Sequence, residues 1–184
     1  MIIPQRKRAV LINSGNANSF TGKKGLNDAK SCIDRVSKLL SIKPEEVYIG
    51  STGIIGRELE KDVILDGIDK ANRELMDGDR KALDFIEAIM TTDTRVKQAS
   101  ISFEIEGKTV SIASCVKGAG MIMPDMATML CVITTDAKIA PDMMKKALSE
   151  SMESSYIIMY NYGTWKVFLC ATIILVAFCY YEYI

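Results

Sequence analysis

The first apolar feature is a run. "RAVLI" at residues 8 to 12 breaks into the polar stretch "NSGNANSFTGKKG", and a short apolar run bounded by turn residues reads as a buried strand. In "NDAKSCIDRVSKLLSI" the period lengthens: Ala29, Cys32, Val36 and Leu39-Leu40 fall on one face at helical spacing, with Asn27 as the cap. "EEVYIGSTGIIGR" predicts another short strand running into a glycine turn. Two further helices are predicted, over about residues 60 to 76 (Val63, Ile64, Ile68, Ala71, Leu75) and about 79 to 90 (Ala82, Leu83, Ile86, Ile89).

Beyond residue 98 the period shortens to two. In "SISFEIEGKTVSIAS" Ile101, Phe103 and Ile105, then Val110 and Ile112, alternate with polar residues around Glu106-Gly107, which predicts a hairpin. "TMLCVIT" is a near-continuous apolar strand, and Pro141 opens the helix "PDMMKKALSESM" at a first-turn position that tolerates proline. Helices and strands are mixed, with hairpin and crossover connections and no internal repeat. The pattern predicts an α/β domain of α+β layered type with a mixed sheet.

From Tyr156 the pattern changes again. Only Lys166 and Glu182 remain charged, and between them lies "VFLCATIILVAFCYY", 15 uncharged residues, short of the ~20 that a spanning helix needs. The division expected is therefore a domain over 1–155 and an apolar tail over 156–184, which projects from the domain as a helix or lies loose beside it. A shifted reading frame after about Ser155 is one origin for such a tail. A membrane helix is another.

Charge and cysteine narrow the chemistry. With 23 basic and 23 acidic side chains, nothing steers the chain toward nucleic acid. Five scattered cysteines form no C-x-x-C pair and have no histidine to complete a metal set, so no metal is expected and a reducing, cytoplasmic setting is. A P-loop is excluded as well: six residues separate Gly15 from Gly22, and Lys23 is followed by Lys24.

Thr128, in "GAGMIMPDMATML", follows a glycine-rich stretch and opens an apolar strand. A hydroxyl attacks only when a base takes its proton, most often histidine, and the chain has none. Thr128 is then either an ordinary strand residue or a nucleophile with another base.

Taken in order, "NSGNANSFTG", "STGIIGR", "AIMTTDT" and "KGAGMIMPDMATMLCVITTDA" resemble successive segments of the ornithine acetyltransferase family, the bifunctional glutamate N-acetyltransferases of arginine biosynthesis. The resemblance runs from about Arg8 to about Ser151. It implies self-cleavage between Ala127 and Thr128, after which the freed α-amine of Thr128 serves as base; the reference pKa of such an amine, about 7.7 to 8.0, suits that task. It implies that Thr128 takes the acetyl group of N2-acetylornithine, releases ornithine and passes the acetyl to glutamate. Thr52 and Gly53 then form the oxyanion hole, and Thr91 and Lys117 bind substrate. The family needs no cofactor, acetyl-CoA entering only as a co-substrate of bifunctional members, and its two self-cleaved chains assemble together and oligomerise.

Two departures accompany the resemblance. Residues after Ser155 match nothing in the family, and Asp125 stands where asparagine is usual. The expectation is a truncated relative, a partial ornithine acetyltransferase-like domain without activity of its own. Rival readings are a self-cleaving amidohydrolase that passes its acyl group to water, and a non-catalytic remnant held at a membrane by its tail.

Overall fold

The computed structural model describes residues 7–75, 78–118, 130–160 and 172–177. Ten elements follow in chain order: β1 (Ala9–Asn13), α1 (Gly22–Leu40), β2 (Val47–Ser51), α2 (Lys61–Arg73), α3 (Asp79–Ile89), β3 (Gln98–Ile105), β4 (Lys108–Lys117), β5 (Leu130–Thr135), α4 (Pro141–Tyr160) and β6 (Thr172–Ala177). Within the domain expected over 1–155, contacts gather in two compact units that divide between Lys97 and Gln98.

The first unit is built on a β1–α1–β2 crossover. β1 and β2 pair in parallel with Ala9 opposite Val47 and Asn13 opposite Ser51, the arrangement that a helical connection permits and a tight turn does not. Ala9, Val47, Cys32, Val36 and Ile68 form the core, with Leu11, Ile33, Ile49 and Ile64 packed against it. The helical period set that face correctly. The start of the helix differs from the sequence expectation: α1 begins at Gly22, not after Asn27. Two glycines in four residues are poor helix signals, but Asn18 donates from Nδ2 to the Gly25 carbonyl at 2.9 Å and accepts from Thr21 Oγ1 at 2.5 Å, so loop side chains hold the first turn. Gly25 is buried there, and a Cβ would lie 2.0 Å from Thr21 Oγ1.

An ion pair ties α2 to α1. Arg35 donates from both Nε and a terminal nitrogen to the two oxygens of Asp69, each at 2.6 Å. That hydrogen bond, and then the guanidinium charge, hold the Asp69 carboxyl below the usual carboxylate range. Because the native value is lowered, the stability it contributes is present above the ordinary carboxylate pKa of about 3.9 and is lost as pH falls through the native value. Asp69→Asn is expected to lower stability modestly at pH 7, where the partly exposed pair is intact, and to leave it nearly unchanged at low pH, where the carboxyl is protonated, so that the acid limb flattens. Urea unfolding at several pH values checks this.

The second unit is a four-stranded sheet in the order β3-β4-β5-β6. β3 and β4 form the expected hairpin with Ile101 opposite Ile112 and Phe103 opposite Val110. Its two turn residues, Glu106 and Gly107, both have positive φ, 51° and 74°, the mirror-image turn whose twist matches the flanking strands. β3 is an edge strand, and its apolar alternation is not covered among the described residues: Ile101 is 60% exposed and Ile105 50%. β5 lies inside, with Leu130, Cys131, Val132 and Thr135 buried.

Of the apolar tail expected over 156–184, only residues 156–160 and 172–177 lie among the described residues. α4 runs through the 155/156 boundary to Tyr160, and Thr172–Ala177 is a strand, not a projecting helix. This β6 pairs with β5 in parallel, Leu130 opposite Thr172 and Thr135 opposite Ala177, so β5–α4–β6 is a second crossover unit. Among the described residues no helix is long and apolar enough to cross a membrane. Thr172, Ile173, Ile174, Leu175 and Val176 have the near-continuous, β-branched character of a strand in parallel pairing.

Candidate functional site

Thr52 and Gly53 sit just past the carboxyl end of β2, and the loop that follows β1 binds the loop that contains them. Thr52 N–H donates to the Asn13 carbonyl at 3.0 Å, Ile54 N–H to Gly15 at 3.2 Å, Ala17 N–H to Ile54 at 2.9 Å and Gly56 N–H to Ser19 at 3.0 Å. Asn16 and Ile54 form a parallel bridge, extending the β1–β2 pairing into what the sequence reads as two turns. Side chains reinforce the joint: Asn16 Nδ2 donates to the Arg57 carbonyl at 3.0 Å, and Asn13 Nδ2 to the Asn16 carbonyl at 2.9 Å. The asparagines of "NSGNAN" thus spend their amides on backbone carbonyls, a role that their turn preference alone does not reveal.

Gly53 is held hardest. Its φ is +134°, a conformation that favours glycine, and a Cβ would lie 2.2 Å from the Gly15 carbonyl carbon and 2.5 Å from Asn16 N. Thr52 is partly buried and Gly53 exposed, so the peptide between them is anchored from below and open above.

Thr91 belongs to the same unit. It is exposed, two residues past the end of α3, and its N–H points to Asp93 Oδ2 at 3.5 Å. Nothing in the sequence pattern singles out Asp93. Its side chain is fully buried and ion-paired with Lys97, four residues on. Ser14 links this segment to the β1 loop, its hydroxyl donating to the Ala88 carbonyl in the last turn of α3 at 2.6 Å. Ser14-Gly15 therefore touches both the end of α3 that leads to Thr91 and the backbone of Gly53.

Lys117 closes β4 in the other unit. It is 3% exposed and stands opposite Leu130. Leu130 lies two residues after Thr128. Ala127 and Thr128, with Asp125, lie outside the described residues.

Cysteine offers no alternative nucleophile among the described residues. Cys32, Cys115 and Cys131 are free and buried, and desolvation raises each thiol, Cys131 to about 11. A reactive cysteine needs the opposite shift. These three thiols are expected to resist a thiol-specific reagent at pH 8 in the folded chain and to react in denaturant; peptide mapping of the labelled protein checks it. Among the described residues no group of three or more histidine, cysteine or acidic side chains is placed to hold a metal ion.

Comparison with known proteins gives the family. The ArgJ family model matches residues 2–160. The chain is 42% identical over 154 residues to the chloroplastic arginine biosynthesis bifunctional protein ArgJ of Citrullus lanatus, covering 84% of this chain and 34% of that one. It is 42% identical over 151 residues to the glutamate N-acetyltransferase of Methanocaldococcus jannaschii, covering 81% and 37%. The chain thus spans about a third of the length of these curated relatives. The crystal structure of an ornithine acetyltransferase complexed with ornithine, from Mycobacterium tuberculosis, superposes with a TM-score of 0.54 at 31% identity, covering 62% of this chain and 61% of that one. Matched through its loops, its hairpin and its β5–α4 segment alike, this chain belongs to the ArgJ family.

Proposed function

We propose that this chain carries the acyl-transfer machinery of a glutamate N-acetyltransferase of arginine biosynthesis, with Thr128 as nucleophile, Thr52 and Gly53 as oxyanion donors, and Thr91 and Lys117 as substrate-binding residues. Cleavage between Ala127 and Thr128 frees the α-amine that acts as base. Thr128 Oγ attacks the acetyl carbonyl of N2-acetylornithine as its proton passes to that amine. The tetrahedral oxyanion is held by the Thr52 hydroxyl and the Gly53 N–H, ornithine leaves with a proton, and glutamate takes the acetyl from the threonine ester in the reverse sequence. Buried Lys117 supplies a positive charge for a substrate carboxylate. The setting is the cytoplasm, with assembly of the two cleaved chains. Residues 1–155 form the family-like part and the later segment lies outside it.

The observation that supports this reading best is the anchoring of Gly53 against Gly15. An oxyanion donor helps only if it is in place before charge develops, and one such donor contributes about 3 to 4 kcal/mol. Four backbone hydrogen bonds and a close backbone contact fix this loop without any ligand.

Two measurements test it. Intact-mass spectrometry after prolonged incubation is expected to show a fragment beginning at Thr128, absent in Thr128→Ala and slowed in Thr52→Ala. Cleavage that persists in Thr128→Ala removes the mechanism. Acetyl exchange between N2-acetylornithine and glutamate is expected to be far slower than in a full-length relative, because substrate positioning can supply about 7 to 11 kcal/mol of a barrier and this chain spans about a third of that length. Release of acetate without transfer to glutamate would favour hydrolysis instead.

A further inference from the structure

The outer edge of β3 carries a fixed pattern of backbone groups. Its neighbour Ser111 on β4 turns away from it: the Ser111 N–H donates to Asp136 Oδ1 at 2.8 Å and its carbonyl accepts from Thr135 Oγ1 at 2.9 Å, both on the β5 side. Ser111 stands opposite Ser102, so these two exchange no backbone hydrogen bond, and in an antiparallel ladder such pairs alternate with hydrogen-bonded ones. Gln98, Ser100, Ser102 and Glu104 therefore aim their N–H and C=O groups outward, while Ala99, Ile101, Phe103 and Ile105 direct theirs to β4.

Edges of this kind are ordinarily blunted by a bulge, a proline or a lysine. β3 has none of these. Its register with β4 is unbroken from Gln98 to Ile105, all of its residues are exposed, and Glu104 is its one charged side chain. Among the described residues no strand pairs with this edge.

A second β3 satisfies both its backbone and its side chains. Antiparallel pairing about a two-fold axis at Ile101 joins Ser100 to the partner's Ser102 and Gln98 to the partner's Glu104, engaging every outward residue in about eight backbone hydrogen bonds. On the polar face each Gln98 amide then meets a carboxylate, donor against acceptor, and no carboxylate faces another. On the apolar face Ile101 meets the partner's Ile101 and Ala99 the partner's Phe103, at non-hydrogen-bonded positions where side chains come closest. An axis at Glu104 instead would oppose the two carboxylates and run Ser102 into the hairpin turn.

We propose that β3 is a dimerisation edge, joining a second copy of this chain through an antiparallel β3–β3 pair centred on Ile101, so that one sheet runs through both copies. The contact is isologous and closes after two chains. It rests on strand geometry and charge alone, and stands or falls independently of the acyl-transfer reading.

Sedimentation equilibrium of the full 184-residue chain is expected to show a reversible dimer forming at about 10 to 100 µM, weak because the paired edge is small. Hydrogen exchange followed by NMR reads the pattern: the N–H groups of Ser100, Ser102 and Glu104 gain protection as concentration rises, whereas those of Ile101 and Phe103 are protected throughout. Ser102→Pro removes an outward N–H and no bond to β4, and is expected to abolish the dimer. Gln98→Lys and Gln98→Glu test the register and serve if the proline variant does not fold. Each change acts twice across the axis, so lysine is expected to tighten the dimer about three- to tenfold and glutamate to loosen it as much. A chain that stays monomeric at millimolar concentration, growth past two chains, or a dimer indifferent to Ser102→Pro or to the charge at position 98 overturns the proposal.

Discussion

Gly53→Ala is expected to destabilise the chain by about 2 to 6 kcal/mol, one of the largest effects any single methyl could have here. Two costs add. A non-glycine residue held in a sparsely populated backbone region costs about 1 to 3 kcal/mol, and forcing a group into an occupied position costs about as much again. Both apply, since φ is +134° and the new Cβ would lie 2.2 Å from the Gly15 carbonyl carbon, with backbone on all three nearest sides. Relief requires the two loops to separate, breaking the bonds from Ile54 N–H to Gly15 and from Ala17 N–H to Ile54. Gly67→Ala is the matched control. That glycine lies within α2, where an added Cβ would meet nothing within 4 Å, and alanine there is expected to stabilise by about 1 kcal/mol through helix propensity. Urea unfolding followed by circular dichroism measures both. A Gly53→Ala chain as stable as the parent would show that the loops are not locked together, and the case for a preorganised oxyanion site would go with it.

Ending the chain at Tyr160 is expected to harm it, reversing what the apolar tail suggests on its own. β5 is the buried strand of the second unit, and β6 covers one of its edges along six residues. Removing β6 leaves backbone donors and acceptors of a buried strand unpaired, each net hydrogen bond lost costing about 0.5 to 1.5 kcal/mol. An uncovered edge also templates pairing with another chain. The truncated protein is expected to lose several kcal/mol of stability and to move largely into the insoluble fraction. Soluble yield and melting temperature of the chains ending at 160 and at 184 decide it. If truncation raises solubility and leaves the melting temperature unchanged, β6 contributes nothing and the tail is the appendage that its composition implies.

Local patterns made most elements legible. A 3.6-residue period specifies which side of a helix is apolar whatever it packs on, and the faces of α1 and α3 were readable for that reason; for α2 it placed Ile64 and Ile68 against the core but also named Val63 and Leu75, which are 64% and 68% exposed. Alternation around Glu106-Gly107 specified the hairpin and its register, because a two-residue turn leaves no freedom in the pairing. The motif order specified the family, and with it the residues proposed for the chemistry.

What local pattern could not specify was decided by partners distant in sequence. The start of α1 depends on Asn18 reaching Gly25, and Thr52-Gly53 is anchored by a loop that precedes it by a whole helix, Gly15 against Gly53. The burial of Lys117 at the end of β4, opposite Leu130 of β5, likewise depends on partners distant in sequence. The apolar segment at 172–177 has no period to separate strand from helix. Short runs of that kind take the state their environment can satisfy, and here an open edge of β5 supplies the hydrogen bonds that make it a strand.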